Sequence, residues 1–231
     1  MSQDSEKQLA AEAAVSLIED GMTVGLGTGS TALFALRKLG ERVRGGLRVR
    51  GIPTSYWCRR EVLAQGIPLA ALDEVEQVDF CMDGADEVDP ALNLIKGGGG
   101  ALFREKMVAA AAKRFVVFVD RSKRVPQLGA FPLPVEVNPF GWKQAAAHIG
   151  TLGAQGTQVT QVTLRMSGYS PVVTENGGYL LDCAFGTISD PAALQTQLRA
   201  VVGVVETGLF LGMAEQVIYA EGEQVQVLRR P

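Results

Sequence analysis

Short apolar segments that alternate with helix-like segments are the feature of this sequence that most constrains its fold. Residues 22–27 ("MTVGLG") and 115–120 ("FVVFVD") are apolar on both faces of a strand, and residues 78–82 ("VDFCM") form a third segment of this kind. Segments with a helical spacing of apolar residues precede and separate these strands, for example residues 5–20 before the first one. Strands that are apolar on both faces are typical of a parallel sheet covered by helices. The first half of the chain is therefore predicted to be an α/β domain.

The order of predicted elements changes after Pro126. Strand and helix patterns follow one another there as β-α-β-β-α-β, which is the ferredoxin-like order. We expect a smaller α+β domain at residues 128–208 and a larger domain formed by residues 1–127 and 209–231. The last segment, residues 215–230, has the pattern of a hairpin that returns to the larger domain.

Composition argues against several classes of function. The chain has 231 residues, of which 47% are hydrophobic and 20% charged, and its net charge of -3 gives no reason to expect nucleic acid as a partner. Three scattered cysteines and a single histidine, His148, provide neither a disulfide framework nor a metal-ligand motif, so no metal is expected. The polar start "MSQDSEKQ" and the absence of a long apolar run predict a cytoplasmic protein without a membrane segment.

Three loops directly after predicted strands contain the candidate functional residues. Ligands of open parallel sheets bind outside the carboxyl ends of the strands, so these loops are expected at one edge. The first loop, "GLGTGST" at residues 25–31, lacks the G-x-G-x-x-G pattern of dinucleotide sites and the lysine of a nucleotide P-loop. It is either a tight strand-to-helix turn or an anion site built from N–H groups and hydroxyls at a helix N-terminus.

The second loop, "DGADEVDP" at residues 83–90, is acidic. Asp83 directly follows a buried strand, and we expect Asp83 and Asp86 to project over the edge of the sheet. For Glu87 and Asp89 a solvated acidic turn is the preferred interpretation, because the spacing of a calcium-binding EF-hand is missing.

The third loop is "KGGGGALFREK" at residues 96–106. Glycine N–H groups at a helix start can receive anionic oxygen, and Lys96 can stabilise a developing oxyanion. Glu105 is a carboxylate on an otherwise apolar helix, where burial would tune it as a general base. The alternative is an ordinary surface carboxylate of that helix, paired with Lys106 or Lys113.

Together these loops, in this order and at this separation, closely resemble those of the type A ribose-5-phosphate isomerases. Further similar segments are "GIPTS" at 51–55, "FPLPVEV" at 131–137, "TENGGYLLD" at 174–182 and "GVVETGLF" at 203–210. The resemblance covers nearly the whole chain. It implies a Rossmann-like α/β domain with a mostly parallel sheet, a second, smaller ferredoxin-like α+β domain, and a homodimer or higher homo-oligomer.

The resemblance also implies roles for individual residues. Glu105 matches the proton acceptor, and Asp83, Asp86 and Lys96 match further catalytic positions. The positions implied to bind a sugar phosphate are Lys7, Thr28, Gly29, Ser30, Thr31, Asp83, Gly84, Ala85, Asp86, Lys96, Gly97, Gly98, Gly99 and Lys123. At "GIPTS" some family members carry a serine-rich stretch, whereas this chain offers only Thr54 and Ser55, so contacts from that loop stay open.

The implied reaction interconverts D-ribose 5-phosphate and D-ribulose 5-phosphate through a cis-enediolate, without a cofactor, in the non-oxidative pentose phosphate pathway. Two other classes stay open. One is a related enzyme, such as a sugar-phosphate deaminase, a lactonase or a CoA transferase with a glutamate nucleophile. The other is a non-catalytic sugar-phosphate sensor, which would tolerate the loss of Glu105 and Lys96. His148 and Cys81 are interpreted as a surface or packing residue and a core residue, respectively.

Overall fold

The computed structural model describes residues 2–154 and 157–230. The helices are α1 Gln3–Ser16, α2 Ser30–Arg44, α3 Tyr56–Ala64, α4 Leu102–Ala111, α5 Trp142–Ile149 and α6 Pro191–Ala200, with 3₁₀ turns at Leu72–Glu74 and Arg121–Lys123. The strands are β1 Thr23–Leu26, β2 Arg50–Pro53, β3 Val78–Asp83, β4 Glu87–Val88, β5 Leu94–Ile95, β6 Ala112–Asp120, β7 Leu133–Val137, β8 Gly153–Ala154, β9 Thr157–Gln158, β10 Gln161–Leu164, β11 Met166–Ser167, β12 Ser170–Pro171, β13 Tyr179–Ala184, β14 Val204–Thr207, β15 Leu209–Phe210, β16 Gln216–Glu221 and β17 Gln224–Arg229.

Packing divides the chain into two units. Unit 1 consists of Met1–Ala85, Arg104–Arg124 and Gly212–Pro231, and unit 2 consists of Asp86–Phe103 and Val125–Leu211. Residues 86–103 thus pack with the second unit, although the sequence-based division assigned them to the larger domain. The domain boundaries given in the sequence analysis, residues 1–127 with 209–231 and residues 128–208, stay a prediction.

Unit 1 contains a mostly parallel sheet with the strand order β17-β16-β6-β3-β1-β2. All neighbours in this sheet are parallel except β16 and β17, which form the antiparallel hairpin expected at the end of the chain. The strands β1 and β3 are almost fully buried, as their apolar sequences predict. The predicted mixed α/β fold with a mostly parallel sheet is confirmed.

Helix α1 contributes small residues to the core of unit 1. Ala10, Ala14 and Val15 belong to one buried cluster with the sheet side chains Phe80 and Phe118. Burial of each large apolar side chain in this cluster, such as Phe80 or Phe118, stabilises the fold by roughly 1.5–3 kcal/mol. This core holds the carboxyl ends of β1, β3 and β6 beside one another, and the candidate loops follow two of these strands.

Unit 2 contains an antiparallel four-stranded sheet with the order β10-β13-β7-β14. Numbered along the chain, these strands have the spatial order 4-1-3-2 from β14 to β10, and α5 and α6 are the two helices of the β-α-β-β-α-β pattern. The ferredoxin-like prediction is confirmed. A small antiparallel sheet, β15-β5-β4, was not expected from the sequence, because its strands have only two residues each.

Candidate active site

The "GLGTGST" loop of unit 1 connects β1 to the N-terminus of α2. Gly29 is the N-cap residue, with a φ of 121°, and no side chain caps the helix. The first N–H groups of a helix have no partner within the helix, and the positive end of its dipole favours anions. Because Gly29 leaves this end uncapped, the loop can bind an anion such as a phosphate.

Thr28 links this loop to the "GIPTS" segment. Its hydroxyl lies 2.9 Å from the Thr54 hydroxyl and 2.8 Å from the Ser55 hydroxyl. Thr54 also donates to the carbonyl of Leu26 at 3.0 Å, and Ser55 accepts from the N–H of Cys58 at the start of α3. The two hydroxyls that the sequence left without a role therefore hold the candidate anion loop in place.

Asp83 lies at the carboxyl end of β3 and is 1% exposed. Its Oδ1 accepts the N–H of Gly84 at 2.7 Å. A Cβ on Gly27 would lie 2.0 Å from this Oδ1, so only glycine allows the loop and the carboxylate to approach so closely. This close approach explains Gly27 of the first loop and shows that this loop lies against Asp83 within unit 1.

Glu105 is 5% exposed and lies in the first turn of α4. The alternative of a surface carboxylate is wrong, because the side chain is buried. Lys106 is buried as well, and Lys113 forms an ion pair with Asp79 at 3.0 Å. Glu105 is therefore a buried carboxylate, the state that suits a group tuned for proton transfer.

Cys58 lies close to two buried carboxylates of unit 1, those of Asp83 and Glu105. Burial raises the pKa of its thiol to about 12, and the negative charges of Asp83 and Glu105 add to this rise. The thiol is therefore protonated at neutral pH and is not a nucleophile. Cys81, on β3, is buried as expected of a core residue.

The glycine run of the third motif lies in unit 2. Gly97 and Gly100 have φ values of 110° and 83°, which side chains other than glycine rarely adopt. The N–H of Gly98 donates to Asp86 Oδ2 at 2.7 Å, and a Cβ on Gly98 would lie 2.6 Å from the Asp86 carboxylate. Asp86 thus contacts the glycine loop directly, and Gly98 is needed for that contact.

Lys96 precedes the glycines and is 3% exposed. Its Nζ lies 5.5 Å from the centre of the Phe210 ring, and its N–H donates to the carbonyl of Gly208 at 2.9 Å. A Cβ on Gly208 would lie 2.3 Å from the Lys96 carbonyl oxygen. The "GVVETGLF" segment therefore fixes the backbone of Lys96, and its Phe210 ring lies beside the ammonium group.

The remaining candidate lysines belong to unit 1. Lys7 lies on α1 and its Nζ is 3.6 Å from Asp4 Oδ1. Lys123 ends the 3₁₀ turn after β6, which Asp120 caps by accepting the N–H of Ser122 at 3.0 Å. Burial acts to raise the pKa of Asp120, but hydrogen bonds from Ser122 and Gln3 and the charge of Lys123 hold it below its usual range.

Glu87 corrects the interpretation of the acidic loop. It is 3% exposed, and its carboxylate accepts the N–H groups of Gly129 at 2.7 Å and Phe131 at 2.6 Å. A solvated position is therefore wrong for Glu87. Asp89 caps the local turn, accepting the N–H groups of Ala91 and Asn93, and is partly exposed.

Within residues 2–154 and 157–230, no group of three or more histidine, cysteine, aspartate or glutamate side chains could hold a metal ion. No helix in the same described ranges is long and apolar enough to cross a membrane. His148, the single histidine, is exposed on α5.

Comparison with known proteins identifies a family. Residues 50–224 match the family described as "Ribose 5-phosphate isomerase A (phosphoriboisomerase A)". The chain is 53% identical to ribose-5-phosphate isomerase A of Gloeobacter violaceus, over 99% of this chain and 97% of that protein. It is 48% identical to the protein of the same name from Rhodopseudomonas palustris, over 100% of both chains.

Solved structures give the same result. The fold matches a D-ribose-5-phosphate isomerase in complex with phospho-erythronic acid, with a TM-score of 0.93, 40% identity and coverage of 100% of both chains. It also matches ribose 5-phosphate isomerase A from Methanocaldococcus jannaschii, with a TM-score of 0.91 and 39% identity over 99% of this chain and 100% of that chain.

Proposed function

The chain belongs to the ribose 5-phosphate isomerase A family of isomerases, and from this premise we propose how it acts. It interconverts D-ribose 5-phosphate and D-ribulose 5-phosphate by moving a proton between C2 and C1 through a cis-enediolate. The observation that carries the proposal is Glu105, a buried carboxylate in an enzyme of this family, whose reaction needs a proton acceptor. Triosephosphate isomerase also uses a glutamate base for aldose–ketose proton transfer.

The phosphate is assigned to the anion loop of unit 1. The uncapped N-terminus of α2 and the hydroxyls of Thr28, Ser30 and Thr31 offer donors to its oxygens, with Gly29 allowing close approach. Lys7 and Lys123 supply positive charge. Asp83 acts at the reacting end of the sugar, together with Gly84 and Ala85.

The residues assigned to the reacting end in unit 2 are Asp86, Lys96, Gly97, Gly98 and Gly99. Lys96 and the glycine N–H groups neutralise the developing enediolate oxygen, which preorganised donors do more effectively than water. No cofactor is assigned, because hydride transfer is absent from this reaction and the ammonium group supplies the charge that a metal would otherwise provide. A role in the non-oxidative pentose phosphate pathway follows from the two sugar phosphates. The homodimer and the cytoplasmic location stay predictions.

Ribose 5-phosphate is expected to form ribulose 5-phosphate in the presence of excess chelator. Ketose formation, measured by its absorbance or by NMR, should match the rate without chelator. A reaction abolished by exhaustive chelation and restored by a divalent ion would contradict the metal-free mechanism. A protein that binds the sugar phosphate but forms no ketose would be a sensor instead.

Replacing both Ser30 and Thr31 with alanine is expected to weaken binding of ribose 5-phosphate while leaving the weak binding of ribose unchanged. Each lost hydrogen bond to a charged oxygen costs about 1.5–3 kcal/mol, so a loss of at least about 10-fold in affinity is expected. Calorimetric titration with both ligands measures the difference. Equal effects on the two ligands would show that the loop does not hold the phosphate.

A further inference from the structure

Arg165 contacts the glycine loop of unit 2 from the antiparallel sheet. It directly follows β10, and its Nη1 donates to the carbonyl oxygens of Gly97 at 2.8 Å and Gly98 at 3.1 Å. Its Nε donates to Asp182 Oδ2 at 2.9 Å, and its Nη2 donates to Asp182 Oδ1. The planar guanidinium is thus oriented by two hydrogen bonds to the Asp182 carboxylate, and its third nitrogen, Nη1, donates to the glycine loop.

Asp86 holds the same loop by the N–H group of Gly98. The peptide group between Gly97 and Gly98 donates through the Gly98 N–H to Asp86 and accepts from Arg165 at its carbonyl oxygen. A hydrogen bond at one end of a peptide group polarises it and strengthens the hydrogen bond at the other end. The positive charge of Arg165 at the carbonyl and the negative charge of Asp86 at the N–H therefore both increase the polarisation of this peptide group.

The next peptide group has only one of these two partners. Its carbonyl, that of Gly98, accepts from Arg165, but its N–H, that of Gly99, has no acceptor among the residues that the structure describes. Open space surrounds the position that a Gly99 Cβ would occupy. The N–H group of an exposed glycine, polarised at its carbonyl and without an acceptor among these residues, is suited to donate to an anionic oxygen of a ligand.

We infer that Arg165, oriented by Asp182, is a positioning residue that fixes and polarises the glycine loop so that the Gly99 N–H donates to the enediolate oxygen. This inference rests on the proposed function. Fixing the loop from outside is necessary because glycine loses more backbone freedom on ordering than any other residue, and four are consecutive here. The hydrogen bonds of Arg165 and Asp86 hold the loop in its donor conformation before the substrate binds.

Replacing Arg165 with methionine tests this role, with Arg199→Met as the matched control. Arg199 forms an ion pair with Glu206 at 2.9 Å in the same unit. We expect kcat of the Arg165→Met protein to fall by about 10–100-fold while KM changes by less than about threefold, because the lost interaction develops in the transition state. Arg165→Lys should regain part of kcat, and Arg199→Met should behave as the wild type.

Two ligands separate positioning from a general loss of structure. 4-Phosphoerythronate places a carboxylate where the enediolate carries its charge, whereas erythritol 4-phosphate lacks that carboxylate. Calorimetry should show that Arg165→Met binds 4-phosphoerythronate at least about 10-fold more weakly and erythritol 4-phosphate as the wild type does. Equal weakening of both ligands, or a kcat within about twofold of the wild type, would overturn the inference.

Amide hydrogen exchange of Gly98 in the ligand-free protein gives a readout independent of activity. Exchange should be faster in Arg165→Met than in the wild type and unchanged in Arg199→Met, with Arg165→Lys examined in the same way in case the methionine variant does not fold. An unchanged rate in a folded Arg165 variant would overturn the positioning role. A wild-type protein without isomerase activity would instead refute the proposed function, and Gly98 exchange alone would then decide whether Arg165 fixes the loop.

Discussion

Replacing Glu105 with glutamine is expected to lower kcat for ribose 5-phosphate by at least about 10²–10⁴-fold, the usual contribution of a general base. Glutamine keeps the shape of the buried side chain and its capacity to form hydrogen bonds, but it cannot accept the C2 proton. Because substrate binding does not require proton transfer, KM should change little. Steady-state measurement of ketose formation gives both constants.

Exchange of the C2 hydrogen in heavy water distinguishes a base from an electrostatic helper. Glu105→Gln should lose exchange and isomerisation together, as followed by NMR. Glu41→Gln is the matched control, because Glu41 is a largely exposed carboxylate on α2 that pairs with Lys38. If the Glu105 variant still exchanged at the wild-type rate, the base would lie elsewhere, and Asp83 or Asp86 would be the leading candidate.

The parallel sheet could be predicted because its strands carry the signal in their own residues. Phe80 and Cys81 of β3 point to opposite faces of the sheet, as do Val117 and Phe118 of β6. All four side chains are buried, so neither face of these strands is polar at the centre. The ferredoxin-like unit could be predicted for a different reason. Its elements are long enough to show their periods, and their order along the chain defines the topology.

Interactions between residues distant in the sequence could not be predicted. Glu87 looked like part of a solvated acidic turn because its partners are two backbone N–H groups more than 40 residues later in the chain, at Gly129 and Phe131. A sequence does not show which backbone N–H groups donate to a given side chain. The two-residue strands β4, β5 and β15 are also too short to show an alternating pattern.

The residues of the candidate site also divide into those that the sequence predicts and those that only the structure identifies. Gly29, Asp83 and Glu105 stand out in the sequence because they lie in or beside glycine-rich and acidic motifs. Arg165 lies instead in an ordinary alternating strand pattern, "QVTQVTLRM", and only the folded sheet brings it to the carbonyl oxygens of the glycine loop. A residue that acts through backbone groups can therefore be found only from the structure.

Replacing Lys96 with alanine is expected to lower kcat by about 10²–10³-fold, the usual cost of removing one oxyanion donor. The ammonium group of Lys96 lies over the Phe210 ring, and the Lys96 backbone is fixed by Gly208. Alanine should therefore remove the positive charge without moving the loop. Lys143→Ala is the matched control, since Lys143 is an exposed lysine of the same unit.

The Lys96 variant should differ from Glu105→Gln in one respect. With the proton acceptor intact, Lys96→Ala should still exchange the C2 hydrogen slowly in heavy water, because losing the cation makes the enediolate less stable but leaves a group to remove the proton. Complete loss of exchange at normal substrate affinity would mean that Lys96 takes part in the proton transfer itself. A kcat equal to that of Lys143→Ala would instead show that the glycine N–H groups alone neutralise the oxygen.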